Sequence, residues 1–227
     1  MSEPALENRR PLKSRQTEWA RMLAAALARA GASPDQVSAA SVAFAALGAS
    51  LFLMAGVSEG AARVAWLLGA AVCIQLRLLC NLLDGMVAVE HGRGGPSGPI
   101  WNELPDRIAD GLFLTAAGYC AYGSGLDLGA WLGWLAAFLA VLTAYVRELG
   151  RGLGFPADFQ GPMAKPHRMA ALTVTCLVAC FEPIWAWNGE SVLIGLGVIV
   201  AGSAWTVVRR ARTLAARLAE AHPARED

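Results

Sequence analysis

Six apolar stretches, each bounded by polar or turn-forming residues, are what most constrain this chain. They run over about Ser38–Val57, Val64–Leu83, Ile108–Tyr122, Leu128–Val146, Met169–Trp187 and Val192–Val208. Most approach the ~20 residues that a helix needs to cross the hydrocarbon of a bilayer. The third is short unless the polar turns before it belong to the same helix. The rest of the composition agrees: 56% of residues are hydrophobic, 16% are charged and the mean hydropathy is +0.43. A soluble domain averages nearer a quarter charged. The expected fold is an all-α integral membrane protein with six transmembrane helices, preceded by an N-terminal interfacial amphipathic helix.

That first helix is expected over Thr17–Arg29, where Trp19, Met22, Leu23, Ala26 and Leu27 form one apolar stripe. Such a segment suits the plane of the membrane interface. The expected organisation is a flexible N-terminal tail over 1–16, a single six-helix membrane domain over 17–217 with the interfacial helix at 17–29, and a C-terminal tail over 218–227. The five cysteines, Cys73, Cys80, Cys120, Cys176 and Cys180, all lie in apolar runs without C-x-x-C spacing, and read as packing residues. Small residues such as Gly111, Gly118 and Gly202 read as sites of close helix packing.

Lys and Arg set the expected orientation. The N-terminal region, the second loop (Arg93), the fourth loop (Arg147, Arg151, Lys165, Arg168) and the C-terminal region are basic, whereas the remaining loops carry only Arg63. With six spans all the basic segments fall on one side, which the positive-inside rule makes cytoplasmic. The inner (plasma) membrane of a bacterium is the expected location.

Against this background the carboxylates stand out. Asn81 and Asp84 of "NLLDG" are one turn apart at the end of the second span. Asn102, Asp106 and Asp110 of "NELPDRIAD" recur at i, i+4 and i+8 and would share a helix face. Ionisable groups at membrane depth cost several kcal/mol unless paired, solvated or bound to a cation. A set of converging oxygens suits a hard divalent ion such as Mg²⁺ or Mn²⁺, shared with substrate phosphates. Helix capping or hydrogen bonding between spans is the plainer alternative. Arg77, deeper in the second span, is expected to pair with Asp110 or Glu148, or to snorkel.

This pattern resembles that of the CDP-alcohol phosphotransferase (CDP-alcohol phosphatidyltransferase) family, Asp-x2-Asp-Gly-x2-Ala-Arg-x8-Gly-x3-Asp-x3-Asp. Laid ungapped on the chain, it meets Asn81, Asp84, Gly85, Ala88, Val89, Gly98, Asn102 and Asp106. Asp84, Gly85, Ala88, Gly98 and Asp106 match. Asn81 and Asn102 stand where the family has aspartate, and Val89 where it has arginine. A four-residue insertion gives a second register, with Asp106 and Asp110 on the last two aspartates and Asn102 at the glycine. "SPDQVS", "VRELGRGLG" and "GPMAKPHRMA" are also similar to family segments.

The resemblance implies a membrane enzyme of phospholipid biosynthesis. It would move a phosphatidyl group from CDP-diacylglycerol to a small polar alcohol and release CMP, the basic cluster favouring a phosphorylated acceptor. It implies one or two Mg²⁺ or Mn²⁺ ions held by Asn81, Asp84, Asn102, Asp106 and, in the second register, Asp110. Asp106 would be the catalytic base, or Asp110 in the second register. Gly85 and Ala88 would admit the nucleotide, with Arg93 or Arg107 replacing the missing motif arginine. Arg147, Arg151, Lys165, His167 and Arg168 would hold an acceptor phosphate; ordinary positive-inside charge is the alternative. Expected partners are the lipid bilayer, the two substrates and a second copy in a homodimer, with no nucleic acid. The two asparagines remove negative charge from the metal set, so a non-catalytic relative is the alternative within the family. A small cation-binding membrane transporter is the alternative outside it.

Overall fold

The computed structural model describes residues 17–90 and 96–221. Among these the chain forms α1 (Glu18–Arg29), α2 (Pro34–Gly56), α3 (Gly60–Glu90), α4 (Gly98–Gly123), α5 (Leu128–Gly152), α6 (Lys165–Ala179), a 3-10 turn (Glu182–Trp185) and α7 (Glu190–Ala221). Four of them, α2, α3, α5 and α7, are long and apolar enough to cross a membrane. α4 carries its polar residues inside one continuous helix, so the short third apolar run is the second part of a longer element. α6 stops at Ala179, and the rest of the fifth apolar segment turns through the 3-10 element. α7 continues past residue 217 to Ala221, so helix replaces the start of the expected tail; the 1–16 tail lies outside the described residues.

The helices after α1 close into a ring. α2 packs on α3, α3 on α6, α6 on α7, α7 on α5, α5 on α4, and α4 back on α2. α4 and α7 also touch across the ring, whereas α3 and α4 approach each other little along their backbones. The core between them is built of small and medium apolar side chains, including Phe52, Ile74, Phe113, Leu172 and Ile199. At the α4–α5 crossing Gly118 is required. A Cβ there would lie 2.6 Å from the Gly129 carbonyl oxygen and 2.7 Å from the Gly133 Cα. Gly111 has open space around it and serves no such contact, which corrects its expected role.

Local sequence explains the helix starts that matter for the site. Ser33 accepts from the Gln36 N–H at 3.1 Å while the Gln36 side chain accepts from the Ser33 N–H at 3.0 Å, a reciprocal cap with Pro34 in the first turn. α6 opens at Lys165 with Pro166 in its first turn, where a missing N–H costs nothing. α1 buries Ala20, Ala24 and Ala28 beside Cys80, Leu83 and Val87, and leaves Trp19, Met22 and Leu23 exposed. The cysteines are buried or half-buried free thiols.

At one end of the bundle a second ion pair ties the helices together. Arg63 near the start of α3 donates to Glu182 at 3.1 Å, to the Ala55 carbonyl at 2.8 Å and to the Ser124 hydroxyl at 2.9 Å. Glu182 in turn accepts from the Gly189 and Ser191 N–H groups at 2.9 and 2.8 Å, capping the orphan donors where α7 begins.

Candidate active site

The polar residues of α3, α4 and α6 meet at the other end, in the gap between α3 and α4. Spacing on each helix dictates the arrangement. Asp106 and Asp110 are one turn apart on α4, and Lys165 and Arg168 are one turn apart on α6, so the two helices form two rungs. Lys165 Nζ pairs with Asp106 Oδ2, and Arg168 Nη2 pairs with Asp110 Oδ2 at 2.7 Å. From α3, Arg77 Nη2 spans both rungs, donating to Asp106 Oδ1 at 3.1 Å and Asp110 Oδ1 at 2.9 Å. One turn further along α3, Asn81 Nδ2 donates to Asp106 Oδ1 at 2.6 Å.

Asp84 lies beside this pair. Its Oδ2 accepts from the Ser38 hydroxyl of α2 at 2.7 Å, and it faces the charges of both Asp106 and Lys165. Ser38 is a site residue that the sequence reading did not single out. It sits inside the "SPDQVS" segment, so the only signal was its position one turn into a helix that opens beside the motif helix.

Several expected roles change once the contacts are seen. Arg77 is fully buried and joins Asp106 as well as Asp110, with no part in pairing Glu148. Both oxygens of Asp110 are taken by guanidinium groups and the residue is 1% exposed. Arg168 is equally buried. It donates to Asp110, Thr143 and the Met163 carbonyl, and points into the bundle, away from any incoming phosphate. Asn102 stays on the exposed side of α4, its carboxamide donating to Glu103 at 3.3 Å, so it does not join Asp106 and Asp110. The helical face is shared in register, but α4 turns its first two turns out of the bundle.

The remaining basic residues lie at the same end of the bundle, most of them paired with Glu103 and Glu148. Arg147 donates to Glu103 at 2.5 Å and Glu148 at 2.8 Å, and stacks over Phe159 with 5.7 Å to the ring centroid. Arg107 pairs with Glu103 at 3.4 Å and Asp106 at 3.6 Å. Arg151 pairs with Glu148 at 2.7 Å, and His167 is exposed. Gly85 and Ala88 are half-buried on α3 past Asp84. Arg93 lies outside the described residues.

The carboxylates of Asp84 and Asp106 and the Ser38 hydroxyl offer oxygens, the chemistry a hard divalent ion selects, while Asn81 turns its Nδ2 toward Asp106. Among the described residues no three His, Cys, Asp or Glu side chains converge on one point. The Lys165 ammonium pairs with Asp106, so that carboxylate already faces a positive charge.

Four helices long and apolar enough to cross a membrane, in a ring with a carboxylate–cation cluster at one end, are the architecture of an integral membrane protein. No protein-family model matches the chain. It is 27% identical over 206 residues to the phosphatidylinositol phosphate synthase of Streptomyces avermitilis, covering 88% of this chain and 80% of that protein. The enzyme of the same name from Mycolicibacterium smegmatis is 26% identical over 215 residues, covering 90% and 88%. A bifunctional IPC transferase and DIPP synthase of Rubrobacter xylanophilus is 34% identical over 148 residues, but the chain spans only 30% of that longer protein. The crystal structure of Mycobacterium tuberculosis phosphatidylinositol phosphate synthase with CDP-DAG bound superposes with a TM-score of 0.73 at 22% identity, covering 87% of this chain and 94% of that one. The same protein in complex with manganese and citrate gives 0.71 at 23% identity, covering 86% and 88%. At that identity the structures speak for the fold. The motif residues and the sequence relatives together make the chain similar to phosphatidylinositol phosphate synthases, and its fold is theirs.

Proposed function

We propose that the chain transfers a phosphatidyl group from CDP-diacylglycerol to a small polar alcohol and releases CMP. The observation that carries this reading is the pair Asp84 and Asp106, held by Ser38 and Asn81 beside the Lys165 ammonium at the end of the bundle. It is supported by the two synthases that match most of the chain, and by the CDP-DAG named for the structural neighbour.

The roles follow from the contacts. Asn81, Asp84 and Asp106 would hold one Mg²⁺ or Mn²⁺ ion; Asn102 is too exposed to serve the same ion. When bound, that ion neutralises charge on the diphosphate and on the departing CMP. Asp106 takes the proton from the acceptor hydroxyl once Lys165 leaves its Oδ2. Asp110 is a positioning residue: it fixes Arg77 and Arg168 and so aims Asp106. Arg107 contacts the nucleotide phosphates, with Arg93 as its partner from the loop, and Gly85 and Ala88 leave room for the nucleotide. Arg147, Arg151 and His167, with Lys165, receive an acceptor that itself carries a phosphate, the chemistry named for the relatives' products.

In this reading α4 and α6 complete a six-span bundle, because the ring cannot close without them. α1 lies in the interface with Trp19, Met22 and Leu23 toward lipid. The basic end of the bundle and both termini face the cytoplasm. A homodimer is the proposed assembly.

The test is CMP release from CDP-diacylglycerol by the purified chain with Mn²⁺ or Mg²⁺ and a pool of alcohols. Metal-dependent release with a new lipid product, abolished in Asp84→Ala and Asp106→Ala, is expected. Metal binding without release from any alcohol would instead identify a non-catalytic relative.

A further inference from the structure

We propose that Lys165 holds the place of the divalent ion on Asp106 in the substrate-free chain, so that the ion binds together with a diphosphate and not before it. This rests on the metal-dependent reading above and adds an order of events to it.

The contacts of Asp106 leave no vacant oxygen. Oδ1 accepts from Arg77 and Asn81, and Oδ2 is paired with Lys165 and faces Arg107 at 3.6 Å. The charges are also complete. The three carboxylates Asp84, Asp106 and Asp110 are equalled in number by Arg77, Lys165 and Arg168, which pair with Asp106 and Asp110, while Asp84 faces the Lys165 charge; Glu103 is met by Arg107 and Arg147. Asn81 stands where a carboxylate would supply a further negative charge, and spends its amide on Asp106 instead. A dication entering this buried cluster alone would leave it with uncompensated positive charge, which is unfavourable.

A diphosphate changes both terms. It brings the missing negative charge, and it offers Lys165 phosphate oxygens as an alternative partner. Lys165 is the group able to move. Its side chain is 27% exposed, on a flexible stem at the first turn of α6, whereas Arg77 is fully buried and locked between two carboxylates. Departure of Lys165 uncovers Asp106 Oδ2 for the ion at the moment the diphosphate arrives.

The experiment is an electron paramagnetic resonance titration of protein-bound Mn²⁺ on the full chain in detergent, with and without CDP as the diphosphate probe, corrected for Mn²⁺–CDP in solution. Saturating CDP is expected to tighten Mn²⁺ binding by ~10-fold or more in the wild type. Lys165→Met should bind Mn²⁺ without CDP about as tightly as the wild type does with it. Lys165→Arg, which keeps the charge, should retain the dependence on CDP. If Lys165→Met fails to fold, judged by elution profile and melting midpoint, the wild-type comparison with and without CDP decides alone. Equal Mn²⁺ affinity with and without CDP, or CDP-free affinity unchanged by Lys165→Met, would overturn the proposal while leaving metal-dependent CMP release intact. No bound Mn²⁺ in any form, even with CDP, would overturn this proposal and the functional reading together.

Discussion

Ser38 of α2 donates its hydroxyl to Asp84 of α3 at 2.7 Å, a buried contact between positions 46 residues apart. The reciprocal cap at Ser33 starts α2 one turn earlier and so fixes the height at which Ser38 meets Asp84. A hydrogen bond to a charged group is worth ~1.5–3 kcal/mol. Ser38→Ala should therefore lower the melting midpoint by several degrees and lower kcat/KM for CMP release by about 10- to 100-fold in the folded fraction. Ser38→Thr, which keeps the hydroxyl, should restore most of the rate.

The Asp110–Arg168 rung is a structural pair with both partners 1% exposed. Asp110→Asn takes from buried Arg168 its carboxylate partner and leaves Arg77 with Asp106 alone, and is expected to destabilise by ~3–5 kcal/mol. Replacing both partners, Asp110→Leu with Arg168→Met, should recover part of that loss, because a buried pair exchanged for apolar packing is often neutral. Thermal or denaturant unfolding in detergent reads the cycle. Additive losses would show that the two residues do not act as a unit.

At the opposite end, Arg63 and Glu182 are coupled in the same way but touch nothing in the candidate site. Arg63→Met should cost ~3–5 kcal/mol of stability, since it strands the Glu182 carboxylate among backbone donors. Mn²⁺ affinity in the folded fraction should stay at the wild-type value. A matching loss of metal affinity would mean that the two ends of the bundle are coupled.

Arg147 is only partly buried and is positioned over Phe159. Arg147→Ala should raise the KM of a phosphorylated acceptor by about 10-fold while that of CDP-diacylglycerol hardly changes. Arg168→Lys, by contrast, should act through stability and kcat, because its guanidinium is committed to Asp110 and the Met163 carbonyl. Steady-state kinetics with each substrate varied in turn separates the two effects.

The sequence by itself determined the membrane character, the helical class and the helices that carry the motif. Hydropathy reports burial in lipid directly, and the spacing of Asp84, Asp106 and Asp110 reports helical register, so both are local properties of the chain. It also carried the resemblance to a family through residues that local chemistry makes unusual in an apolar setting. Only the tertiary structure decided which charges meet. Arg77, Lys165 and Arg168 lie 29 to 59 positions from their carboxylates, and pairing at that distance depends on how the ring closes. The same closure turned Asn102 outward, enclosed Arg168 and brought Ser38 to Asp84. Each outcome is set by packing between helices that no single helix encodes, which is why basic and acidic residues of similar sequence character divide into buried pairs and partly exposed ones.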